Sequence, residues 1–115
     1  MATEIRRRFD DVPLLPEGAV DLEQLLPGSG EIELDVGFGK GGFVLSRALG
    51  DPGRRVLGIE VRKKYVALVR DRLLVAQASN ARVFCGDARY ALPRMQPDGS
   101  LARVLVHFPD PWWKK

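Results

Sequence analysis

From residue 31 onward the chain alternates short apolar runs with helical segments, and each run closes on or just before a carboxylate. The runs are Ile32–Val36, Val56–Ile59, Arg82–Cys85 and Leu101–Phe108, and the acids are Asp35, Glu60, Asp87 and Asp110. Between them the pattern predicts helices over Phe43–Leu49, ended by Gly50 and Pro52, over Lys63–Ala78, and one or two turns over Ala88–Met95, limited by Pro93. Val66, Val69, Leu73 and Ala76 give the longest of these an apolar stripe at three- and four-residue spacing. Strands separated by helices must run parallel, joined by right-handed crossovers, so the expected class is α/β with helices flanking one parallel sheet. Such sheets take ligands beyond the carboxyl ends of their strands, near the point where strand order reverses. Acids at those ends are therefore candidate ligand contacts rather than ordinary surface polarity.

Residues 1–30 are punctuated by Pro13, Pro16, Gly18, Pro27, Gly28 and Gly30. They read as an irregular lead-in packed on the domain edge, with room for one short helix near Asp21–Leu26 capped by Asp21. Residues 31–115 read as the domain proper. A net charge of +3 is too small to argue for a nucleic-acid partner. The clusters Arg6-Arg7-Arg8 and Arg62-Lys63-Lys64 read as solvated surface. One cysteine, Cys85, excludes an intrachain disulfide and fits a cytoplasmic protein. No apolar stretch approaches the ~20 residues of a membrane helix, and no residue cluster has metal-ligand spacing.

Asp35-Val36-Gly37-Phe38-Gly39-Lys40-Gly41-Gly42 joins the first strand to the first helix. Such a loop brings backbone N–H groups close to a ligand at a helix start. Gly37, Gly39 and Gly42 satisfy the dinucleotide pattern G-x-G-x-x-G, with Glu60 about 20 residues on, so an NAD-type oxidoreductase is one reading. Against it, Asp35 stands two residues before Gly37, where its charge opposes a pyrophosphate but suits an ammonium. Gly86-Asp87-Ala88 adds an acid able to accept from an adenine amino group. S-adenosylmethionine offers an ammonium, ribose hydroxyls and an adenine, and no phosphate. Asp35, Glu60 and Asp87 can serve these in turn.

The segment Phe108-Pro109-Asp110-Pro111-Trp112-Trp113-Lys114-Lys115 holds one acid between two prolines, beside aromatic surface and positive charge. These groups suit a planar base in an anionic polymer. With Asp35–Gly41, Gly58-Ile59-Glu60-Val61-Arg62 and Cys85-Gly86-Asp87-Ala88, this segment resembles the tRNA (guanine-N7-)-methyltransferase family in its single-subunit bacterial form. The resemblance spans about residues 31–115 and rests most on Phe108–Lys114; family members commonly carry glutamate at the position of Asp35. It implies a Rossmann-like, S-adenosylmethionine-dependent methyltransferase acting on N7 of a variable-loop guanine in tRNA. It implies donor binding by Asp35, Gly37, Gly39, Glu60, Asp87, Ala88 and Asp110, a catalytic role for Asp110, and substrate contacts from Lys114 and Trp112. His107, inside the last strand, reads as a packed histidine.

A complete sheet of this kind has seven strands, so the chain reads as its N-terminal, donor-binding half. A truncated gene product, a partial sequence or a fragment would explain this, and such a chain is not expected to be a competent enzyme alone. An amino-directed nucleic-acid methyltransferase is a further reading, because Asp110-Pro111 followed by an aromatic resembles a D-P-P-Y type of motif. A non-catalytic nucleotide- or partner-binding module is another. The implied partner is tRNA, with no membrane and no metal.

Overall fold

The fold is organised around a strand that is buried at all six positions, β3 (Arg55–Glu60). The structure, a computed structural model, describes residues 11–107. β2 (Ile32–Val36) pairs in parallel with one side of β3, from Ile32 opposite Arg55 to Val36 opposite Ile59. β4 (Ala81–Cys85) pairs in parallel with the other side. The chain then returns across the sheet, and β6 (Leu101–Val106) pairs in parallel with the free side of β2. The order is therefore β4-β3-β2-β6, and strand progression reverses between β2 and β6. This is the parallel sheet expected from the alternation of runs, and the reversal places a crevice beyond the carboxyl ends of β2 and β6.

Helices cover both faces. On one, α2 (Gly42–Gly50) and α3 (Lys63–Val75) bring Val44, Ala48, Val66, Val69 and Leu73 against Val56 and Val83. On the other, Leu22 of α1 (Leu22–Leu25), Ala88 and Ala91 of α4 (Ala88–Ala91), and Met95 cover Ile32, Leu34, Leu57, Ile59 and Phe84. Burial of such apolar side chains, each worth roughly 1.5–3 kcal/mol, is the main stabilising term. Val104 and Val106 of β6 remain half exposed.

α3 stops at Val75, three residues short of the expected Ala78. Gln77 takes the left-handed conformation (φ 56°), its N–H donates to Leu74 O at 3.1 Å, and the Ala78 N–H donates to Leu73 O at 3.0 Å. This pair of bonds is a Schellman ending, with Ala78 and Leu73 packed in the same cluster. Glycine usually marks that position, and here none does. The helical reading of Ala88–Met95 also needs correction. α4 ends at Ala91, a 3₁₀ turn occupies Leu92–Arg94, and Met95 opens the two-residue strand β5 (Met95–Gln96). β5 pairs in parallel with β1 (Val20–Asp21) in the lead-in.

The lead-in is thus more ordered than its prolines and glycines suggest. Asp21 caps α1, its Oδ1 accepting from the Glu23 N–H at 3.0 Å. The Cys85 N–H donates to Pro13 O at 2.7 Å, and the Leu15 N–H donates to Cys85 O at 3.1 Å. Arg55 donates through Nε to Gly30 O at 2.6 Å and through Nη1 to Leu26 O at 2.9 Å. Residues 14–15 are thereby held over the carboxyl end of β4, and Leu15 packs where a side chain on Gly86 would stand.

Candidate functional site

A cleft of about 620 Å³ opens beyond the carboxyl ends of β2, β3, β4 and β6. Its volume lies in the range of small-molecule sites. Among the expected site residues, Gly37, Glu60, Asp87 and Ala88 line it, joined by Arg62, Arg89 and His107. Asp35 and Gly39 are not among the lining residues; Asp35 is buried near the end of β2, and the Gly39 N–H is bonded to Glu60. Asp110, Trp112 and Lys114 lie outside the described residues.

The glycine loop is fixed by its packing. A Cβ on Gly41 would strike Val69 of α3, and φ is +83° there, so this position admits little but glycine. A Cβ on Gly37 would meet the carbonyl oxygen of His107, showing how closely the chain leaving β6 crosses the loop. Gly42, the third glycine of the dinucleotide pattern, has open space around it and no unusual backbone angle. The close packing that the dinucleotide pattern requires of its third glycine is therefore met at Gly41, one position early.

Glu60 is buried at the end of β3 and anchors this loop. Its Oε1 accepts from the Gly39 N–H at 3.0 Å, and its Oε2 accepts from the Arg62 N–H at 3.0 Å and from Arg62 Nε at 3.2 Å. Burial pushes the Glu60 carboxyl up, but the Arg62 side chain and the two backbone N–H groups outweigh this and leave it below its ordinary value. The Arg62 guanidinium also lies 4.5 Å from the centroid of the Tyr65 ring. Asp87 repeats the arrangement after β4. It caps α4 by accepting from the Arg89 N–H at 3.0 Å, and Arg89 Nη2 reaches its Oδ2 at 2.7 Å. The Arg89 hydrogen bond holds the Asp87 carboxyl below its usual value. Arginine two residues after each acid was visible in the sequence, yet Arg62 read there only as part of a solvated cluster. Each acid is ionised and keeps lone pairs for further donors such as ligand hydroxyl or amino groups.

Asp35 is different. It is fully buried, and neither carboxylate oxygen accepts a hydrogen bond from the described residues. His107 Nε2 stands 2.8 Å from Oδ1, close enough for an ion pair, but its N–H is not aimed for a hydrogen bond. Burial raises the Asp35 carboxyl to about 6; His107 opposes the shift and the Glu33 charge adds to it. His107 itself is tied down by its backbone N–H, which donates to Val36 O at 2.8 Å, and its ring centroid lies 5.0 Å from that of Phe43. The sequence reading of a merely packed histidine missed this contact, because nothing in the spacing of residues 35 and 107 announces it.

Glu33 was also missed. It faces the same side of β2 and is buried, but Arg47 of α2 meets it with two bonds, Nη2–Oε1 at 2.7 Å and Nε–Oε2 at 3.0 Å. Arg47 holds the Glu33 carboxyl below its ordinary value against the opposing effect of burial. Among the described residues no group of three or more His, Cys, Asp or Glu side chains is placed to hold a metal ion. No described helix is long and apolar enough to cross a membrane.

The model of a family described as putative methyltransferase matches residues 29–115. A tRNA (guanine-N(7)-)-methyltransferase of Anaeromyxobacter dehalogenans (strain 2CP-C) is 42% identical over 106 residues, covering 91% of this chain and 53% of that protein. The protein of the same name from Myxococcus xanthus (strain DK1622) is 42% identical over 87 residues, 76% of this chain and 42% of its own length. The chain thus spans about half the length of the curated relatives it matches. Among solved structures, a 30S ribosomal A1408 methyltransferase from an uncultured bacterium superposes with a TM-score of 0.63 at 24% identity, over 85% of this chain and 48% of that one. That likeness shows the fold, a Rossmann-like parallel sheet with flanking helices. With its family match covering the whole sheet and the cleft, the chain belongs to the putative methyltransferase family.

Proposed function

We propose that the cleft binds S-adenosylmethionine and that the chain is the donor-binding part of a tRNA (guanine-N7-)-methyltransferase. The observation that carries the donor reading is Asp35, a buried carboxylate beneath the glycine loop with no hydrogen-bond donor among the described residues. A bare carboxylate there suits an ammonium and repels a pyrophosphate, which argues against a dinucleotide. Glu60 and Asp87 on the cleft wall are ionised acceptors for ribose hydroxyls and an adenine amino group, and Ala88 lines the cleft beside Asp87. Gly37 and Gly39 let the loop approach the ligand closely. The names of the relatives at 42% identity support guanine N7 of tRNA as the target, and a cytoplasmic site of action is part of the same proposal.

S-adenosylmethionine supplies an electrophilic methyl group on a sulfonium. Guanine N7 carries an in-plane lone pair and no proton, so no general base is required of the protein. A positive charge develops on the purine, and a fixed carboxylate nearby stabilises it. Asp110, which stands between Pro109 and Pro111 in the sequence, is assigned this role, together with orientation of the guanine N1–H and amino group. Lys114 is assigned to tRNA phosphate or base oxygen, and Trp112 to stacking.

Calorimetric titration with S-adenosylmethionine and with NAD tests the donor, and nucleoside mapping after reaction with unmodified tRNA tests the target. Binding of S-adenosylmethionine alone and appearance of 7-methylguanosine are expected. Binding of NAD in place of S-adenosylmethionine would defeat the donor reading, and methylation on an exocyclic amine would defeat the target.

A further inference from the structure

Beyond the donor contacts, we propose that His107 is a positioning residue for the amino-acid end of the methyl donor, holding Asp35 as an oriented carboxylate whose second oxygen receives the ammonium. The inference rests on the donor reading above. Three observations carry it. His107, the residue that follows β6, lines the cleft and also reaches Asp35, its Nε2 lying 2.8 Å from Oδ1. That contact is an ion-pair approach to Oδ1 without an aimed hydrogen bond, and Oδ2 likewise accepts from no donor among the described residues. The His107 ring and backbone are both held, by Phe43 from α2 and by the Val36 carbonyl from β2, so the imidazole has a defined place.

The electrostatics agree with the geometry. Burial favours the protonated carboxyl, which cannot attract an ammonium by charge, and the neighbouring Glu33 pushes the same way. His107 works against both. Arg47 from α2, and Arg54 beside it, face Glu33, with Arg47 bonded to both of its oxygens. Without the imidazole, Asp35 would ionise only at higher pH, and the ammonium would lose its partner near neutrality.

The test compares S-adenosylhomocysteine with 5′-methylthioadenosine, which lacks the amino-acid end, on the wild-type chain and on His107→Phe and Asp35→Asn. At pH 7, His107→Phe should weaken S-adenosylhomocysteine about three- to tenfold and leave 5′-methylthioadenosine unchanged. The fall in S-adenosylhomocysteine affinity toward acid pH should begin at higher pH in His107→Phe than in wild type. Adding His107→Phe to Asp35→Asn should cost nothing further, because the two residues act as one unit. Equal losses for both ligands, an unshifted pH profile, or tighter S-adenosylhomocysteine binding in His107→Phe would overturn the proposal. Failure of the folded wild-type chain to bind either ligand would instead remove the donor reading, and this inference with it. His107→Gln, closer in shape and still polar, gives the same comparison should the phenylalanine variant fail to fold.

Discussion

The two ends of β2 carry the same kind of group in opposite circumstances. Glu33 and Asp35 lie on one face of the strand, two residues apart, both fully buried. At the amino half, Arg47 takes both oxygens of Glu33 in a forked pair and the carboxylate is settled. At the carboxyl half, Asp35 has only a poorly aimed imidazole, and its proton affinity rises. A buried charge without compensation is costly. That one strand satisfies one acid and leaves its neighbour short marks the first as structural and the second as poised for a ligand.

The largest expected effect is at the satisfied acid. Arg47→Ala removes both hydrogen bonds to the buried Glu33 and leaves it only the longer Arg54 contact at 3.6 Å, so it should lower the unfolding midpoint by roughly 5–10 °C, with little change in the donor affinity of the folded fraction. Thermal melts over a pH series check it, and the deficit should shrink at low pH. Glu33 is held below its ordinary value, so its stabilising contribution is present above that value and lost as pH falls through the depressed one. A melt unchanged by Arg47→Ala would break the comparison outright.

Asp35→Asn should act in the opposite direction on stability. Folding raises the Asp35 carboxyl to about 6, so its favourable contribution exists at low pH and is lost as pH rises through 6. At pH 7.5 the asparagine variant should therefore be more stable than wild type by on the order of 1–3 kcal/mol, with the gain vanishing near pH 4. Donor affinity should fall at the same time. Greater stability with weaker binding is the signature of a group retained for a ligand. Lower stability at pH 7.5 would place Asp35 with Glu33 as a structural acid.

Glu60 sharpens the contrast because it belongs to both classes, lining the cleft while it anchors Gly39 and Arg62. Glu60→Gln keeps its shape and should cost about 1 kcal/mol, less than the loss at Arg47, while donor affinity measured by calorimetry drops about tenfold. Its carboxyl is held low, so the stability difference should close as pH falls below the ordinary carboxylate range. Unchanged affinity would confine Glu60 to the loop.

The sheet and the positions of Glu60 and Asp87 were legible because strand ends and acids fall together in the sequence. The helix α2 and strands β2, β3 and β4 came out within a residue of their observed bounds for the same reason. Three features escaped. The end of α3 rests on Gln77 adopting a conformation that glycine normally signals. The pairing of Val20 with Met95 joins residues far apart in sequence through only two positions each, too few for a period to show. The Asp35–His107 contact exists because β6 lies beside β2, a fact of topology that local pattern does not encode. The expectations for Asp110, Trp112 and Lys114 rest on the resemblance alone.

The pinning of the glycine loop has a consequence for the thermodynamics of recognition. Phe38 is buried across Gly58, where even a Cβ would come within 2.8 Å of its ring. Gly41 abuts Val69, and the Gly39 N–H is already bonded to Glu60. The loop has therefore lost most of its conformational freedom before any ligand arrives, and association need not order it again. Binding should show a heat-capacity change set by the apolar area the ligand itself covers, without the larger change of a coupled folding step. Loosening Phe38 by Phe38→Ala would move that ordering cost from folding to binding, and calorimetry would read it as a more unfavourable entropy of association.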